Sequence, residues 1–297
     1  MYHIITSLHK VLYIYTYYIT KTKKIQFFKF TNKWSYDIIL EKRGNFMPKF
    51  FVKNNQIEED RIIIIGEDVN HIKNVLRLKV DDNIQICNSD IAKNYMCGIS
   101  KLNDNSIECI IFSEIESNSE SNVDITIFQG IPKADKMELI IQKCVELGVS
   151  EITPIEMKRC IAKIDSKSKN KKIERWQKIS EVAAKQSGRD MVPKINDITS
   201  IKNICNIICE YDIVLLAYEN EQINTLKNEI QRLKDIENKE IKIGIIIGPE
   251  GGLEKEEVDI LKGSGAKVIT LGKRILRTET VGFVLTSIIM YELGDLG

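Results

Sequence analysis

The chain has 297 residues, 43% of them hydrophobic and 29% charged, with a formal net charge of +1 at pH 7. This composition is that of a soluble globular protein, and the length allows about two domains. The near-zero charge excludes attraction of nucleic acid by the molecule as a whole, so any RNA binding has to come from local basic patches.

Residues 1–46 differ from the rest of the chain. They carry eight Lys or Arg against two acidic residues and 11 of the 21 aromatic residues, whereas residues 47–297 carry 35 basic and 40 acidic residues. Their apolar run, residues 11–20, is about half as long as a membrane-spanning helix, and no small-residue cleavage site follows it. Just before Met47 stands Lys42-Arg43-Gly44-Asn45, the residues that a purine-rich ribosome-binding site would encode if it were translated in frame. We interpret residues 1–46 as a non-native upstream extension; the alternative is a basic aromatic arm that binds RNA.

The cysteines and histidines limit the chemistry. Residues 47–297 contain all seven cysteines, with no C-x-x-C pair, so neither a disulfide framework nor a zinc site is predicted. We expect these cysteines to be buried small hydrophobes in a reducing cytoplasm. His71 is the single histidine of this region, which argues against histidine metal sites and against Ser-His or Cys-His triads. No metal is predicted.

Residues 50–112 show short apolar runs separated by polar turns. This pattern predicts a small β-barrel with one short helix at residues 69–78. The polar stretch at residues 113–122 is predicted to be a linker. The predicted strands are residues 62–65, 83–87, 95–100 and 107–112.

After residue 122 strands and helices alternate. Residues 213–217 and 241–247 are continuous apolar runs, which are typical of a parallel sheet covered on both faces. We therefore expect an α/β domain, with Trp176 in its core. The other predicted strands are residues 123–129, 152–155 and 267–271, and the predicted helices are residues 137–147, 171–187, 222–235, 254–262 and 281–293.

Two glycine-bearing loops follow strands late in this domain, at residues 248–252 (GPEGG) and 271–280 (LGKRILRTET). We expect them at the same end of neighbouring strands, where backbone approaches a flat ligand closely. Neither loop fits a P-loop or a G-x-G-x-x-G dinucleotide fingerprint, which disfavours a nicotinamide enzyme. The pattern favours a nucleoside-like cofactor; the alternative is a pair of ordinary tight turns.

Charged residues accompany the second loop. Arginine at a helix start opposes the helix dipole, so Arg274 and Arg277 are predicted to have another partner, for which Glu279 is the candidate. The alternative is that both arginines are simply solvated.

A basic segment spans residues 158–178, with nine Lys or Arg against three acidic residues. A flexible phosphate-binding arm and a solvated face explain it equally well. Lys133, Lys136 and Arg189 are predicted to share a rim with it, and Arg77 to contact RNA, whereas His71 is predicted to be structural.

Several stretches of this chain resemble a known family. They are residues 71–78 (HIKNVLRL), 136–154 (KMELIIQKCVELGVSEITP), 174–193 (ERWQKISEVAAKQSGRDMVP), 247–253 (IGPEGGL), 271–280 (LGKRILRTET) and 293–297 (LGDLG). The chain resembles the RsmE family, the 16S ribosomal RNA (uracil-N3) methyltransferases of the SPOUT superfamily, over nearly all of residues 47–297.

The resemblance implies a PUA-like RNA-binding β-barrel at residues 47–117 and a trefoil-knotted SPOUT methyltransferase domain at residues 122–297. It implies a homodimer that acts on 16S rRNA in the assembled small ribosomal subunit. No association with a membrane is expected. It also implies that S-adenosylmethionine is bound by Leu216, Ala217, Gly248, Gly251, Gly252, Leu271, Gly272, Ile275, Leu276 and Thr278.

The chemistry of such a reaction fits these residues. The N3 atom of uridine must lose its proton, so we expect Arg277 to stabilise the developing negative charge and Glu279 or Glu250 to orient it or relay the proton. Val281-Gly282-Phe283 replaces the small residues usual in the family. The alternatives are a SPOUT enzyme acting on another RNA and a non-catalytic ribosome-binding factor. The residues expected to bind RNA are Arg77, Lys133, Lys136, Arg159 and Arg189.

Overall fold

The computed structural model describes residues 47–116, 119–162, 164–234, 240–294 and 296. The interpretation of residues 1–46 therefore concerns residues outside this range. Lys163 of the basic segment at residues 158–178 and Ser117 and Asn118 of the predicted linker also lie outside it. Residues 47–297 form one compact unit. No helix among the described residues is both long and apolar enough to cross a bilayer.

The N-terminal part contains a six-stranded sheet with the strand order β1-β4-β5-β6-β3-β2. Its neighbouring strands are antiparallel except β1 and β4, which are parallel. Ile62 and Ile64 alternate with more exposed neighbours, so one face of β3 contributes to a buried core. The strands are β1 (Lys49–Val52), β2 (Ile57–Glu58), β3 (Arg61–Ile65), β4 (Asn83–Asn88), β5 (Lys93–Leu102) and β6 (Ser106–Ile115).

The predicted helix at residues 69–78 is shorter and less regular than expected. Helix α1 (Glu67–Asn70) continues into a π-helical turn, His71–Val75, in which the Leu76 N–H donates to the carbonyl of His71. Arg77 has φ of +55°, a left-handed conformation that ends the helix. Strand β6 also reaches Ile115, so the prediction of a linker starting at residue 113 was wrong for its first three residues.

The C-terminal part contains a wholly parallel seven-stranded sheet, with the order β10-β8-β7-β12-β11-β13 and β9 paired beside β8. The prediction that the strands before the two glycine-bearing loops are neighbours was wrong, because β11 lies between β12 and β13. The end of β11 therefore lies between the two loops. The strands are β7 (Val123–Gly130), β8 (Glu151–Glu156), β9 (Lys194–Ile195), β10 (Thr199–Ser200), β11 (Ile213–Ala217), β12 (Ile241–Ile247) and β13 (Lys267–Ile269).

Apolar clusters pack on both faces of this sheet, as the continuous apolar strands predicted. One cluster includes Trp176, which is 5% exposed, and the apolar side chains of α2, α3 and α7; the other involves α4 and α6. The helices are α2 (Lys136–Glu146), α3 (Ser166–Ser187), α4 (Ile201–Ile207), α5 (Leu226–Leu233), α6 (Lys255–Gly263) and α7 (Thr278–Leu293).

Helix α3 starts earlier than its apolar periodicity predicted. Asp165 caps it, accepting a 2.6 Å hydrogen bond from the Ser168 N–H. Much of the predicted flexible phosphate-binding arm is therefore the first turns of a helix. Several of its cations also have partners: Arg175 pairs with Glu138 and Lys178 with Glu67.

Ion pairs connect the two parts. Lys49 of β1 pairs with Asp190, and Lys185 of α3 donates to both carboxylate oxygens of Asp68 at 2.9 Å. Four cysteines are buried, as predicted, but Cys160 and Cys205 are half-buried and Cys209 is exposed.

Candidate cofactor-binding site

A cleft of about 480 Å³ opens at the carboxyl ends of β11, β12 and β13. Ligands bind at this edge in open parallel sheets, and the volume falls within the range of small-molecule sites. The lining consists of Lys136, residues 217–219, residues 247–253, residues 270–278 and Val281.

The first loop, residues 248–252, is packed so closely that a side chain would not fit at its three glycines. A Cβ on Gly248 would lie 2.8 Å from Leu253 Cδ1, and one on Gly251 would lie 2.9 Å from the Cβ of Arg159. Gly252 has φ of +71°, and a Cβ there would lie 2.8 Å from a carboxylate oxygen of Glu219. The glycines therefore let backbone form the wall of the cleft.

Arg159, in the loop after β8, holds the first loop in place. Its guanidinium donates to both carboxylate oxygens of Glu254, with Nε–Oε1 of 2.9 Å and Nη2–Oε2 of 3.3 Å, and Nη1 donates to the Gly251 carbonyl at 3.0 Å. The hydrogen bonds from Arg159 lower the pKa of Glu254, so this contact is charged at neutral pH. Because 44% of the Arg159 side chain stays exposed, its predicted contact with RNA stays a prediction beside this structural role.

The second loop, residues 271–277, joins β13 to α7. Gly272 has φ of +98° and open space where a Cβ would stand, and Ile275 is 85% exposed. The buried Thr278 then anchors the loop: its Oγ1 donates to the carbonyl of Gly248 at 2.7 Å and accepts from Gln129 Nε2 at 2.9 Å. One hydroxyl therefore fixes the two loops relative to each other.

A charged cluster stands at the edge of the cleft. Lys136 Nζ lies 3.0 Å from a carboxylate oxygen of Glu250 and 3.2 Å from one of Glu279. Arg277, whose side chain is 82% exposed, lies 3.9 Å from Glu279. Glu279 is therefore a partner for Arg277, as the sequence suggested, although a loose one.

Both carboxylates of this cluster are ionised at neutral pH. Burial raises the pKa of Glu250, but the backbone N–H groups of Glu250 and Lys133 and the Lys136 ammonium outweigh it, and the pKa is lowered overall. Burial likewise raises the pKa of Glu279, and its own N–H, Lys136 and Arg277 together lower it. Glu279 also lies in the first turn of α7, where the helix dipole favours an anion.

The cleft brings together most of the residues expected to contact the cofactor. Leu216 is the exception: it is fully buried within β11 and does not border the cleft, because its neighbour Ala217 ends the strand there. Glu250 and Arg277 border the cleft. Glu279 does not border it but pairs with Lys136, which does. The cofactor residues that border it are Ala217, Gly248, Gly251, Gly252, Leu271, Gly272, Ile275, Leu276 and Thr278.

The residues expected to bind RNA are more scattered. Arg189 is 4% exposed and donates to the carbonyls of Val145 and Val149 and to Glu120, so the prediction that it contacts RNA is withdrawn. Lys136 is engaged with two carboxylates. Arg77 and Lys133 have exposed side chains, and their predicted role stays a prediction.

Sequence reasoning missed Tyr218 and Glu219, which line the cleft at the end of β11. Their position directly after an apolar strand was the available signal. Among the unusual residues at the start of α7, Val281 borders the cleft, while Gly282 lets α7 approach α2, since a Cβ there would lie 3.2 Å from Cys144 Sγ.

Comparison with known proteins agrees with this architecture. Residues 119–290 match an RNA methyltransferase domain, and residues 64–112 match an RNA methyltransferase PUA domain. Ribosomal RNA small subunit methyltransferase E of Bacillus subtilis is 35% identical over 252 residues, which cover 83% of this chain and 97% of that protein. The chain belongs to the RsmE family. The resemblance stated from the sequence motifs is thereby confirmed.

Other RsmE proteins match over the same region. The Mesomycoplasma hyopneumoniae protein of the same name is 34% identical over 82% of this chain and 99% of its own length. The crystal structure of a ribosomal RNA small subunit methyltransferase E from Neisseria gonorrhoeae, bound to S-adenosyl methionine, has a TM-score of 0.73 at 30% identity. It covers 84% of this chain and all of that one, so the RsmE fold extends over both parts of the described structure.

Proposed function

We propose that this protein transfers a methyl group from S-adenosylmethionine to N3 of a uridine in 16S ribosomal RNA of the small subunit. The observation that carries the proposal is the cleft itself. The backbone of two glycine-bearing loops forms its walls, and Arg277 and the ionised Glu250 and Glu279 lie at one edge. Family membership and the cofactor in the Neisseria gonorrhoeae relative support the same reaction.

The residues of the cleft fit this cofactor. The open space at Gly272 and the close-packed backbone at residues 248–252 suit a flat adenosine, and Ala217, Leu271 and Leu276 offer it apolar contact. Tyr218 and Glu219 add polar groups between the two loops. When bound, S-adenosylmethionine supplies a methyl group already activated by its sulfonium, so the protein needs no covalent nucleophile.

The protein's own task is to handle the N3 proton and the charge on the uracil. Because the Arg277 side chain is 82% exposed and tied loosely to Glu279, it is free to reach the uracil carbonyl oxygens, where negative charge develops. Glu250 and Glu279 are ionised and therefore competent to accept a proton. Since N3 lies on the pairing edge of uracil, the base has to be unpaired and turned out before it enters the cleft.

RNA binding is assigned to exposed basic side chains in both parts of the chain. Lys167, Lys171 and Lys172 are exposed on the first turns of α3, and Lys133 and Arg77 are also exposed. Phosphate contacts of this kind position the RNA without reading its sequence.

We further propose a cytoplasmic homodimer with a trefoil-knotted C-terminal domain. Leu139 of α2 and Ile288 and Tyr291 of α7 are apolar side chains that stay 41%, 39% and 64% exposed on two helices that pack together, which suits contact with a second copy. The position of β11 between β12 and β13, together with the tight contact of the two loops, supports the knot. Sedimentation of an Ile288→Glu, Tyr291→Glu variant is expected to give a monomer if this surface forms the dimer.

Labelled methyl transfer tests the reaction. Small ribosomal subunits lacking the modification are incubated with the protein and labelled S-adenosylmethionine, and mass spectrometry locates the product. We expect label at N3 of one uridine in 16S rRNA. Label on a different RNA would make the protein a methyltransferase of other specificity, and a folded protein that binds ribosomes but neither cofactor nor methyl group would be a binding factor.

Arg277→Ala tests the role of the arginine. We expect methyl transfer to fall at least tenfold while cofactor affinity stays within about twofold, because the guanidinium acts on the uracil. Arg61→Ala is the matched control, since Arg61 is also exposed (62%) and pairs loosely with one carboxylate, Asp60, at 3.8 Å. A near-normal rate for Arg277→Ala removes the residue from the mechanism.

A further inference from the structure

Lys136 occupies an unusual position for a surface lysine. It is the first residue of α2, and its ammonium lies between the carboxylates of Glu250, from the loop after β12, and Glu279, from the first turn of α7. One cation thus joins three segments that are far apart in the sequence. The two carboxylate oxygens that pair with Lys136 cannot be farther apart than the sum of the two ion-pair distances.

The charge of this cluster is poorly balanced without Lys136. Glu250 is otherwise held by two uncharged donors, its own backbone N–H and that of Lys133, which lies 3.1 and 3.2 Å from its two oxygens. Among the described residues, the other charged group that faces the pair is Arg277, 3.9 Å from Glu279 and largely exposed. Two carboxylates that share a site do not both stay ionised easily, because each raises the pKa of the other.

The same contacts argue against an RNA-binding role. The Lys136 side chain is 33% exposed and already faces two carboxylates that neutralise it. A phosphate approaching Lys136 would also approach Glu250 and Glu279, which repel it.

We propose that Lys136 is a positioning residue for methyl transfer, which keeps Glu250 and Glu279 adjacent and both ionised at the edge of the cleft. This inference rests on the proposed function. One carboxylate then accepts the proton as the N3–H bond breaks, while the other stays charged beside Arg277. The electron pair left on N3 forms the bond to the methyl carbon, and the electron pair of the carbon–sulfur bond stays on sulfur.

The free protein provides a test that does not depend on activity. The side-chain carboxyl carbons of Glu250 and Glu279 are titrated by ¹³C NMR in the wild type, in Lys136→Gln and in Lys136→Arg. We expect the pKa of one carboxyl to rise by about one unit or more in Lys136→Gln and to return towards the wild-type value in Lys136→Arg. An unchanged titration in Lys136→Gln overturns the proposal, whatever the protein methylates.

Single-turnover methylation across pH 5–9 adds the functional readout. We expect the acid limb of Lys136→Gln to be displaced to higher pH by the same amount as its carboxyl titration, so that its rate falls increasingly below the wild-type rate as the pH approaches 5, because a carboxyl that must be ionised now titrates later. Cofactor affinity stays within about twofold, and Lys136→Arg restores the acid limb. The control is Lys143→Gln, which removes a lysine of the same helix that pairs with Glu146.

The results separate the possible failures. A Lys136→Gln profile parallel to that of the wild type overturns the positioning role, as does a loss confined to RNA affinity with a reduced salt dependence. A wild type that binds cofactor but methylates nothing refutes the proposed function instead, and the NMR titration then still decides the role of Lys136.

Discussion

Thr278 and Gly248 are joined by a 2.7 Å hydrogen bond from Oγ1 to the carbonyl oxygen, and this contact unites the start of α7 with the end of β12. Gln129, at the end of β7, donates to the same hydroxyl and is fully buried. Thr278 thus accepts a hydrogen bond from the Gln129 amide and donates one to the Gly248 carbonyl, and these two contacts hold the walls of the cleft together.

Thr278→Val removes this hydroxyl with little change in volume. The variant leaves the Gly248 carbonyl and one Gln129 donor without their partner, so we expect a loss of about 1–3 kcal/mol in the free energy of unfolding. We also expect weaker cofactor binding, because the two loops lose their common anchor. Urea unfolding and calorimetric titration with S-adenosylmethionine measure the two effects.

The control for this variant is on the same helix. Thr286 is equally buried, but its Oγ1 has no hydrogen-bond partner among the described residues, so Thr286→Val is expected to be neutral or slightly stabilising. Equal losses for both threonines would mean that packing, and not the hydroxyl contact, sets the stability.

Arg159→Ala is expected to loosen the first loop. The variant removes the paired contact with Glu254 and the bond to the Gly251 carbonyl, and we expect cofactor affinity to fall about tenfold, or about 1.4 kcal/mol. Lys158→Ala is the neighbouring control, because Lys158 is 61% exposed and pairs with Glu256 at only 3.5 Å. If Arg159→Ala binds the cofactor normally but loses affinity for RNA, Arg159 contacts RNA and does not hold the first loop for the cofactor.

The sequence predicted β7, β8, β11, β12 and β13 of the C-terminal sheet from their apolar residues, but not the two-residue strands β9 and β10, which have no apolar run. Residues 241–247 were expected as a strand, and β12 spans these residues. The start of α3 was missed because its first turns contain no apolar residue, and Asp165 as a capping residue was the only local signal.

The errors at the site have a different origin. The order of β11, β12 and β13 depends on long-range pairing, which no local pattern encodes, and so Tyr218 and Glu219 were overlooked. Arg189 and Lys136 resembled solvent-facing cations because sequence does not show where carboxylates from distant segments will lie. The family resemblance predicted which residues line the cleft. The ion-pair partner of each charged residue could be identified only from the folded structure.

Arg189→Ala is expected to be among the most destabilising single changes outside the cleft. The Arg189 side chain is 5% exposed and pairs with Glu120, which also accepts from the backbone N–H groups of Asp190 and Met191. Removal of the cation leaves a partly buried carboxylate without its counter-charge and takes one donor from each of the Val145 and Val149 carbonyls, so we expect a loss of about 3–5 kcal/mol. Urea unfolding measures it.

Arg175→Ala is the matched control for Arg189. Its ion pair with Glu138 has a similar N–O distance, 2.6 Å, but the arginine is 64% exposed, and we expect a loss below about 1 kcal/mol. A loss of the same size at both positions would show that burial does not distinguish the two pairs.

Native thiol reactivity provides a final prediction. Burial raises the pKa of Cys87, Cys97, Cys109 and Cys144 to about 12. The thiolate is the reactive form, and at pH 8 a thiol with this pKa is ionised at about one part in 10⁴, against about a quarter for an ordinary cysteine. Alkylation with iodoacetamide at pH 8, followed by peptide mass spectrometry, is therefore expected to label the exposed Cys209 first and the half-buried Cys160 and Cys205 more slowly.

The four buried thiols report on opening of the structure. In urea all seven cysteines are expected to react, which shows that each is chemically competent. In the native protein Cys144, which lies on α2 and faces Gly282 of α7, reacts only when these helices separate, so its labelling rate follows the unfolding equilibrium. Rapid native labelling of Cys144 would show that α7 leaves α2 in the folded protein, and the close approach of the two helices at Gly282 would then be wrong.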